Sequence, residues 1–413
     1  MSMSIEISLE GQLESEKDFE AYMKLVNEIC TKKQVKMEVY EHFALIDVCP
    51  EGFIECSYED GFLSISAQTN VAGPGFHAFV CSFFDDVIKV SPMELAVSDM
   101  TKYFEERSFD KLKHQIFYRW LQDIGSHIEE MKKEAQDLCI SWPMEYYHPK
   151  ARDGFVITPM GYIAMDDFKK MEIEELAEHF FVWNHMGRDA RYYRNAAINL
   201  LWKECYYEYS NMNEYTEKMT ATILDYVELA YQEDPSLPLP MSEYQYLCGL
   251  SGREIKIHDA NAMYVHNIGY RRELVELQFG NWSLPAHGCS ETSIDDSNQT
   301  LFIMAPYQHA EEPWTWMYKV NIYAFKQAVE GFLPEIENNA AAYDTFTFSH
   351  DTIQAKGYLE KKEDHILLSA QLNCEKEMMM LQIIICDEHK IPELMENIKH
   401  IKCRKVSDDQ IKS

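Results

Sequence analysis

Three arginines in the stretch "NHMGRDARYYRNAA", Arg188, Arg191 and Arg194, stand three residues apart. On a helix this spacing puts them on adjoining turns of one face, where guanidinium groups can grip a carboxylate or a phosphate in a bidentate fashion. Asp189 is placed to cap such a helix. Aromatic residues crowd the cluster along the chain: Phe181, Trp183, Tyr192, Tyr193, Trp202, Tyr206 and Tyr207. The candidate binding set is therefore Arg188, Arg191, Arg194, Trp183 and His185. As an enzyme site the cluster would hold a small anionic substrate at a domain junction, with His179 or His185 as acid or base. The competing fate is internal pairing, because the chain has 69 acidic side chains against 38 basic ones.

Other groupings are thinner. "EELAEHFFVWNH" offers Glu175 and His179 at i, i+4, with Glu178 and His185 nearby, but it lacks the repeated Glu-x-x-His pairs of a carboxylate-bridged bundle site. "CDEHK" brings Cys386, Glu388 and His389 together after a strand-like run, with Cys374 across a hairpin, and supplies no fourth zinc ligand. "AHGCSE" sets Cys289 two residues after His287, yet the base that activates a thiol generally comes from elsewhere in the fold. The stretch "VAGPGFHAFVCSFFDDVIKV", residues 71–90, places Gly73, Gly75 and His77 at a helix start. Its glycines lack the spacing of a dinucleotide fingerprint, and no P-loop lysine follows. Nucleophile-elbow, zincin and kinase signatures are missing. The expectation is no metal and no cofactor.

The net charge of -31 disfavours nucleic acid and anionic membranes as partners and suits a basic protein. Eleven scattered cysteines without a CxxC pair, several inside apolar runs, suggest reduced thiols. The N-terminal residues lack the pattern of a secretory signal, and no apolar run reaches membrane-spanning length. A cytoplasmic protein is expected.

Three segments must position these residues. Residues 1–92 read as a small α/β module. It opens with a strand at "SIEISLEG" and a helix that starts at Ser15 and Asp18 and buries Phe19, Tyr22, Met23, Val26, Ile29 and Cys30. Strands follow at "VKMEVY", "FALIDVC", "GFIECSY" and "FLSISAQT", the last two joined through Asp60-Gly61. The closing helix carries Phe76, Phe79, Val80, Phe83, Phe84, Val87 and Ile88 on one face, with Pro74 at its first position.

Residues 93–255 read as a mainly helical domain. Its long stripe runs from Leu112 through Ile116, Trp120, Leu121, Ile124 and Ile128 to Met131, and an irregular connection or small hairpin interrupts it around residues 137–167. Residues 256–413 read as an antiparallel-sheet α+β domain. Strands are expected at "ELVELQFGNWSLP", "TLFIMAPY", "DTFTFS", "IQAKGYLE", "HILLSAQLNC" and "MMMLQIIIC", with a helix through Ala324, Phe325, Ala328, Val329, Phe332 and Leu333 and a closing one at Leu394, Met395 and Ile398.

Two resemblances follow from these layouts. "ILDYVELAYQEDPSLPLPMSEYQYL", with Ala230 and Pro235, resembles the second helix and following turn of a tetratricopeptide repeat. It covers about residues 190–250 and implies a helical surface for a peptide or another domain. The order of strands and helices over about 256–404 resembles the α/β/α sandwiches of the photosystem-P-protein and Mog1 type, which implies an adaptor or accessory role. Together these readings predict a multidomain α+β protein that binds another protein without catalysis: an adaptor, accessory or immunity-type protein. The alternative is the anion-binding enzyme described above.

Overall fold

The structure is a computed structural model that describes residues 4–13, 15–134, 138–142, 147–205, 214–263, 269–272, 274–295, 298–305, 316–339 and 343–404. It shows the α+β architecture, with helices and antiparallel sheets in two compact units. The first unit comprises residues 1–142, 151–205 and 215–268; the second comprises 143–150, 206–214 and 269–413.

The first unit opens with β1 (Glu6–Gln12) and α1 (Glu16–Lys33), whose buried residues are the six that helical spacing selects. At its start the Ser15 hydroxyl donates to Asp18 Oδ2 at 2.7 Å. Four strands follow: β2 (Lys36–Val39), β3 (Phe43–Cys49), β4 (Gly52–Glu59) and β5 (Phe62–Gln68). Asp60 and Gly61 both take positive φ, 51° and 87°, as a two-residue turn twisted like its flanking strands requires. Next come α2 (Pro74–Val90) and β6 (Ala96–Asp99), and the strand order β2-β3-β4-β5-β1-β6 places β1 between β5 and the edge strand β6.

Two short helices, α3 (Tyr103–Glu106) and α4 (Phe109–Lys111), lead into a π-helical turn at Leu112–Phe117, which continues as α5 (Tyr118–Glu134). The wide turn lies at the head of the long apolar stripe. After β7 (Tyr147–His148), which belongs to the second unit, the chain forms the hairpin β8 (Phe155–Thr158) and β9 (Gly161–Ala164). Then come α6 (Met165–Lys170), α7 (Ile173–Glu178), α8 (Ala190–Lys203), α9 (Glu214–Glu233) and α10 (Met241–Ser251). One hydrophobic cluster runs from Ile5 to Ala196, so the residues of α2, α5 and α7 share a core with the six-stranded sheet. Beyond it, buried Glu228 of α9 receives Arg253 at 2.8 Å, Lys256 at 2.7 Å and the Tyr244 hydroxyl at 3.3 Å.

In the second unit β10 (Leu274–Phe279) and β11 (Trp282–His287) form a hairpin, and β12 (Glu291–Asp295), β13 (Thr300–Ala305) and β14 (Trp316–Ala324) form a meander. There follow α11 (Pro334–Asn339), β15 (Asp344–His350), β16 (Ile353–Lys361), β17 (Ile366–Cys374), β18 (Glu377–Ile385), α12 (Ile391–Lys399) and β19 (Lys402–Cys403). One sheet has the order β12-β13-β14-β18-β17-β16-β15 and the other β19-β11-β10-β7.

The helix expected through Ala324 to Leu333 does not form. Residues 325–333 are irregular, because their backbone finds partners outside the segment. Phe325 N donates to Lys376 O at 2.7 Å, Val329 N to Glu375 O at 2.6 Å, and Leu333 N to the side chain of Gln371 at 2.5 Å. Gln371 and Asn373 in turn donate to Gly331 O at 3.2 and 2.7 Å. The apolar run that does become regular structure lies earlier, as β14, which pairs along its whole length with β18.

Candidate functional site

The arginine cluster is organised by Glu178, at the C-terminal end of α7. Leu176 and Ala177 anchor that helix in the core, and the buried run Phe180, Phe181, Val182 and Trp183 carries the following chain inward. Desolvated apolar side chains thus draw Glu178 partly out of water, and it needs donors there. Glu178 Oε1 accepts from His185 Nε2 at 2.6 Å and from Asn184 Nδ2 at 2.7 Å, and Oε2 accepts from Arg194 Nη2 at 3.4 Å. Arg191 Nη1 lies 3.9 Å from Oε1. Burial alone would raise the Glu178 carboxyl, but the hydrogen bonds from His185 and Asn184 and the charges of His185 and Arg194 outweigh it, lowering the pKa to about 2.

A second layer fixes the donors. Asp189 caps α8 by accepting from Tyr192 N at 2.9 Å, which sets the helix on which Arg191 and Arg194 stand. Arg194 Nε and Nη2 both donate to Asn195 Oδ1 at 3.0 Å, while Asn195 Nδ2 donates to the carbonyls of Glu178 and Phe181 at 3.3 and 3.2 Å. Asn184 Nδ2 also reaches the Tyr118 hydroxyl at 3.1 Å, and Asn184 Oδ1 is buried without a donor among the described residues. Burial raises Tyr118 to about 12 and lowers Lys113, whose ammonium lies 5.4 Å from the Tyr118 ring centre. Burial first, and the Arg194 charge second, lower the His179 imidazole, although that residue keeps an exposed surface.

Of the five residues expected at a binding site, the structure brings three together: His185, Arg191 and Arg194 meet at Glu178. Arg188 turns away, because it precedes the capping residue and is not on the helix. Its Nη2 donates to Val48 O on β3 at 3.0 Å, and its guanidinium lies 5.3 Å from the Trp183 ring centre and 5.6 Å from that of Tyr192. The shared arginine face expected from the spacing is therefore incomplete. Trp183 is 2% exposed and donates through Nε1 to Gly187 O at 2.7 Å, so it packs and presents no open ring to a ligand. Tyr206 and Tyr207 lie outside the described residues.

Gly73 and Gly75 turn out to serve the same neighbourhood. Gly75 N donates to Trp183 O at 2.9 Å and Trp183 N to Ala72 O at 2.7 Å, which docks the 181–185 segment on the start of α2. A Cβ on Gly75 would lie 2.1 Å from Trp183 Cδ1 and 2.3 Å from His185 O. The glycines make room for protein rather than for an anion.

His77 anchors a separate buried network that sequence reasoning left unassigned. Its Nδ1 lies 3.0 Å from Thr69 Oγ1, and its Nε2 lies 3.1 Å from Thr101 Oγ1 and 3.4 Å from Asp99 Oδ1. Asp99 also accepts from Thr101 N and Phe104 N, each at 2.8 Å. Burial pushes its carboxyl up, but the bonds from His77 and Phe104 overcome this and hold it far below the usual carboxylate range. With Cys81, these side chains form the one group among the described residues whose ligand atoms all lie within 4.8 Å. They fit a metal poorly. Both ring nitrogens already face partners, burial drives the Cys81 thiol up and away from thiolate, and three donors leave a tetrahedral site short.

The remaining candidates stay apart. His287 Nε2 pairs with Glu393 Oε1 at 2.7 Å, linking β11 to α12, and Cys386 is exposed at the end of β18. No helix among the described residues is long and apolar enough to cross a membrane.

No known protein family matches the chain, and no curated protein does. A crystal structure of a protein from Bacteroides thetaiotaomicron VPI-5482 aligns over 30% of this chain and 46% of that one, at 12% identity and a TM-score of 0.23. The chain spans less than half the length of that neighbour.

Proposed function

We propose that the chain is a non-catalytic binding protein, an adaptor, accessory or immunity-type protein, whose acidic surface takes a basic protein partner. The observation that carries this reading is the inward use of Arg194 and His185 on Glu178. Two members of the cationic grouping that runs against the chain's charge are thus spent internally, in a chain whose net charge is -31. Complementary fields then speed encounter and discriminate partners more than they add raw affinity. A catalytic reading would need those arginines free for a substrate. The cytoplasmic setting belongs to the same proposal and is supported by thiols that are mostly buried and unbridged.

The test is affinity capture from a native lysate at moderate salt, followed by reconstitution with the purified partner and sedimentation across an ionic-strength series. A defined complex whose affinity falls steeply with added salt supports the proposal. A chain that sediments alone as a monomer at every ionic strength overturns it.

A further inference from the structure

The seven-stranded sheet ends in two unequal edges. One is β12, which carries Glu291 at its start and Asp295 at its end. Laid antiparallel on a second copy and centred on Ser293, it would set Glu291 against Asp295, and like charges directly opposite each other repel. The other is β15, "DTFTFSH", which lacks the Lys, Pro and bulges that commonly guard an exposed edge. Its one strand neighbour among the described residues is β16, in unbroken register from the pair Asp344–Leu359 to the pair His350–Ile353. Asp344, Thr345, Thr347, Ser349 and His350 are exposed, whereas Phe346 and Phe348 are half-buried at the margin of the core.

The register also fixes where the backbone points. The turn Asp351–Thr352 joins β15 to β16, with Asp351 at φ 48°. Such a two-residue turn closes on a hydrogen-bonded pair, here His350 with Ile353. These pairs alternate along an antiparallel ladder, so the N–H and C=O groups of Phe348, Phe346 and Asp344 also point to β16, and those of Thr345, Thr347 and Ser349 point outward. The turn Glu375–Lys376 gives the same alternation when it is counted back through β17 and β16.

We propose that β15 is a dimer interface: two copies of the chain join edge to edge and antiparallel, about a two-fold axis through Thr347, and the sheet runs on from one copy into the other. In that register Thr347 pairs with Thr347 and Thr345 with Ser349, so the outward groups of all three residues meet complements. Side chains of the other face then occupy the non-hydrogen-bonded positions, where opposite residues come closest. Phe346 meets Phe348, which covers the half-buried rings, and Asp344 meets His350, an acceptor facing a donor. Within its own chain His350 Nε2 lies 3.1 Å from Asp351 Oδ2. The near-palindromic order Asp-Thr-Phe-Thr-Phe-Ser-His makes the strand its own complement, which selects a second copy over a foreign strand. Sliding the pairing by one backbone repeat parts Asp344 from His350.

The test is sedimentation of the full chain over a concentration series at low and high salt. A monomer–dimer equilibrium is expected, and added salt should strengthen it, because each copy carries a net charge of -31. Salt weakens a complex with a basic partner, so the two associations are told apart. Thr347→Pro removes an outward N–H that β16 does not use and should dissociate the dimer. Thr347→Lys sets two ammonium groups against each other and should weaken it by about tenfold. Register is read by oxidative cross-linking, since Cα atoms of a hydrogen-bonded pair stand about 5.5 Å apart, within reach of a disulfide. Thr347→Cys should link to itself above the background that exposed Cys386 sets in the unaltered chain. Thr345→Cys should link when mixed with Ser349→Cys and stay at background alone. A chain that is monomeric at every concentration and salt, or a dimer that persists in Thr347→Pro and leaves Thr347→Cys at background, overturns the proposal.

Discussion

At the scale of single residues, Glu178 decides what the arginine cluster is for. Its carboxyl titrates near 2 in the folded chain, against an ordinary value of 4.5. A pKa depressed by folding means that the unfolded chain binds more protons in that window, so stability rises with pH there. The contribution is fully present above about 4.5 and is lost as pH falls through about 2. Glu178→Gln should cost about 1–3 kcal/mol at neutral pH, below the range for a fully buried pair because His185 is partly solvated. Urea titrations at several acidic pH values check this. The variant should show a shallower loss of stability toward low pH, and parallel acid limbs would remove Glu178 from its central place. The sequence displayed the arginines and the acidic residue within one stretch, but their pairing was not legible in it. The buried run Phe180 to Trp183 folds Glu178 back toward α8, and that reversal depends on packing against α2 and α5 rather than on any local spacing.

At the scale of elements, α1 and α2 were readable because their apolar residues repeat at helical period and their ends carry Ser15, Asp18 and Pro74. The segment 324–333 has a comparable period and yet stays irregular. Long-range bonds to Gln371, Asn373, Glu375 and Lys376 satisfy its backbone in place of helical ones, and nothing in a local window reveals them. Close approach of elements was equally hidden, as Gly75 illustrates. Gly75→Ala should destabilise the chain by about 1–3 kcal/mol, since the added methyl must displace Trp183 or the His185 carbonyl. Gly249 provides the contrast: it lies inside α10, and a Cβ there meets nothing within 4 Å. Gly249→Ala should therefore stabilise by about 0.5–1 kcal/mol through helix propensity and a less flexible unfolded chain. Thermal melts of both variants, with tryptophan emission for the first, should show shifts of opposite sign.

At the scale of the whole molecule, the two compact units have separate hydrophobic clusters, one spanning Ile5 to Ala196 and the other Leu277 to Ile401. Each is large enough to fold around its own core, and a chain of 413 residues exceeds what one core usually organises. Cooperative opening follows the boundaries of packed cores, so the units should lose protection independently. Hydrogen exchange read by peptide mass across a urea series measures this directly. Gly75→Ala should lower the midpoint for peptides from α2 and the six-stranded sheet while leaving those from β16 to β18 unchanged. A common midpoint for all peptides, shifted together by the substitution, would mean that one cooperative body unfolds and that the division into two cores has no energetic meaning. Added salt separates this behaviour from the acidic surface. Screening the excess of 69 acidic over 38 basic side chains relieves self-repulsion throughout the chain, so it should raise both midpoints, whereas a packing defect at Gly75 moves only one.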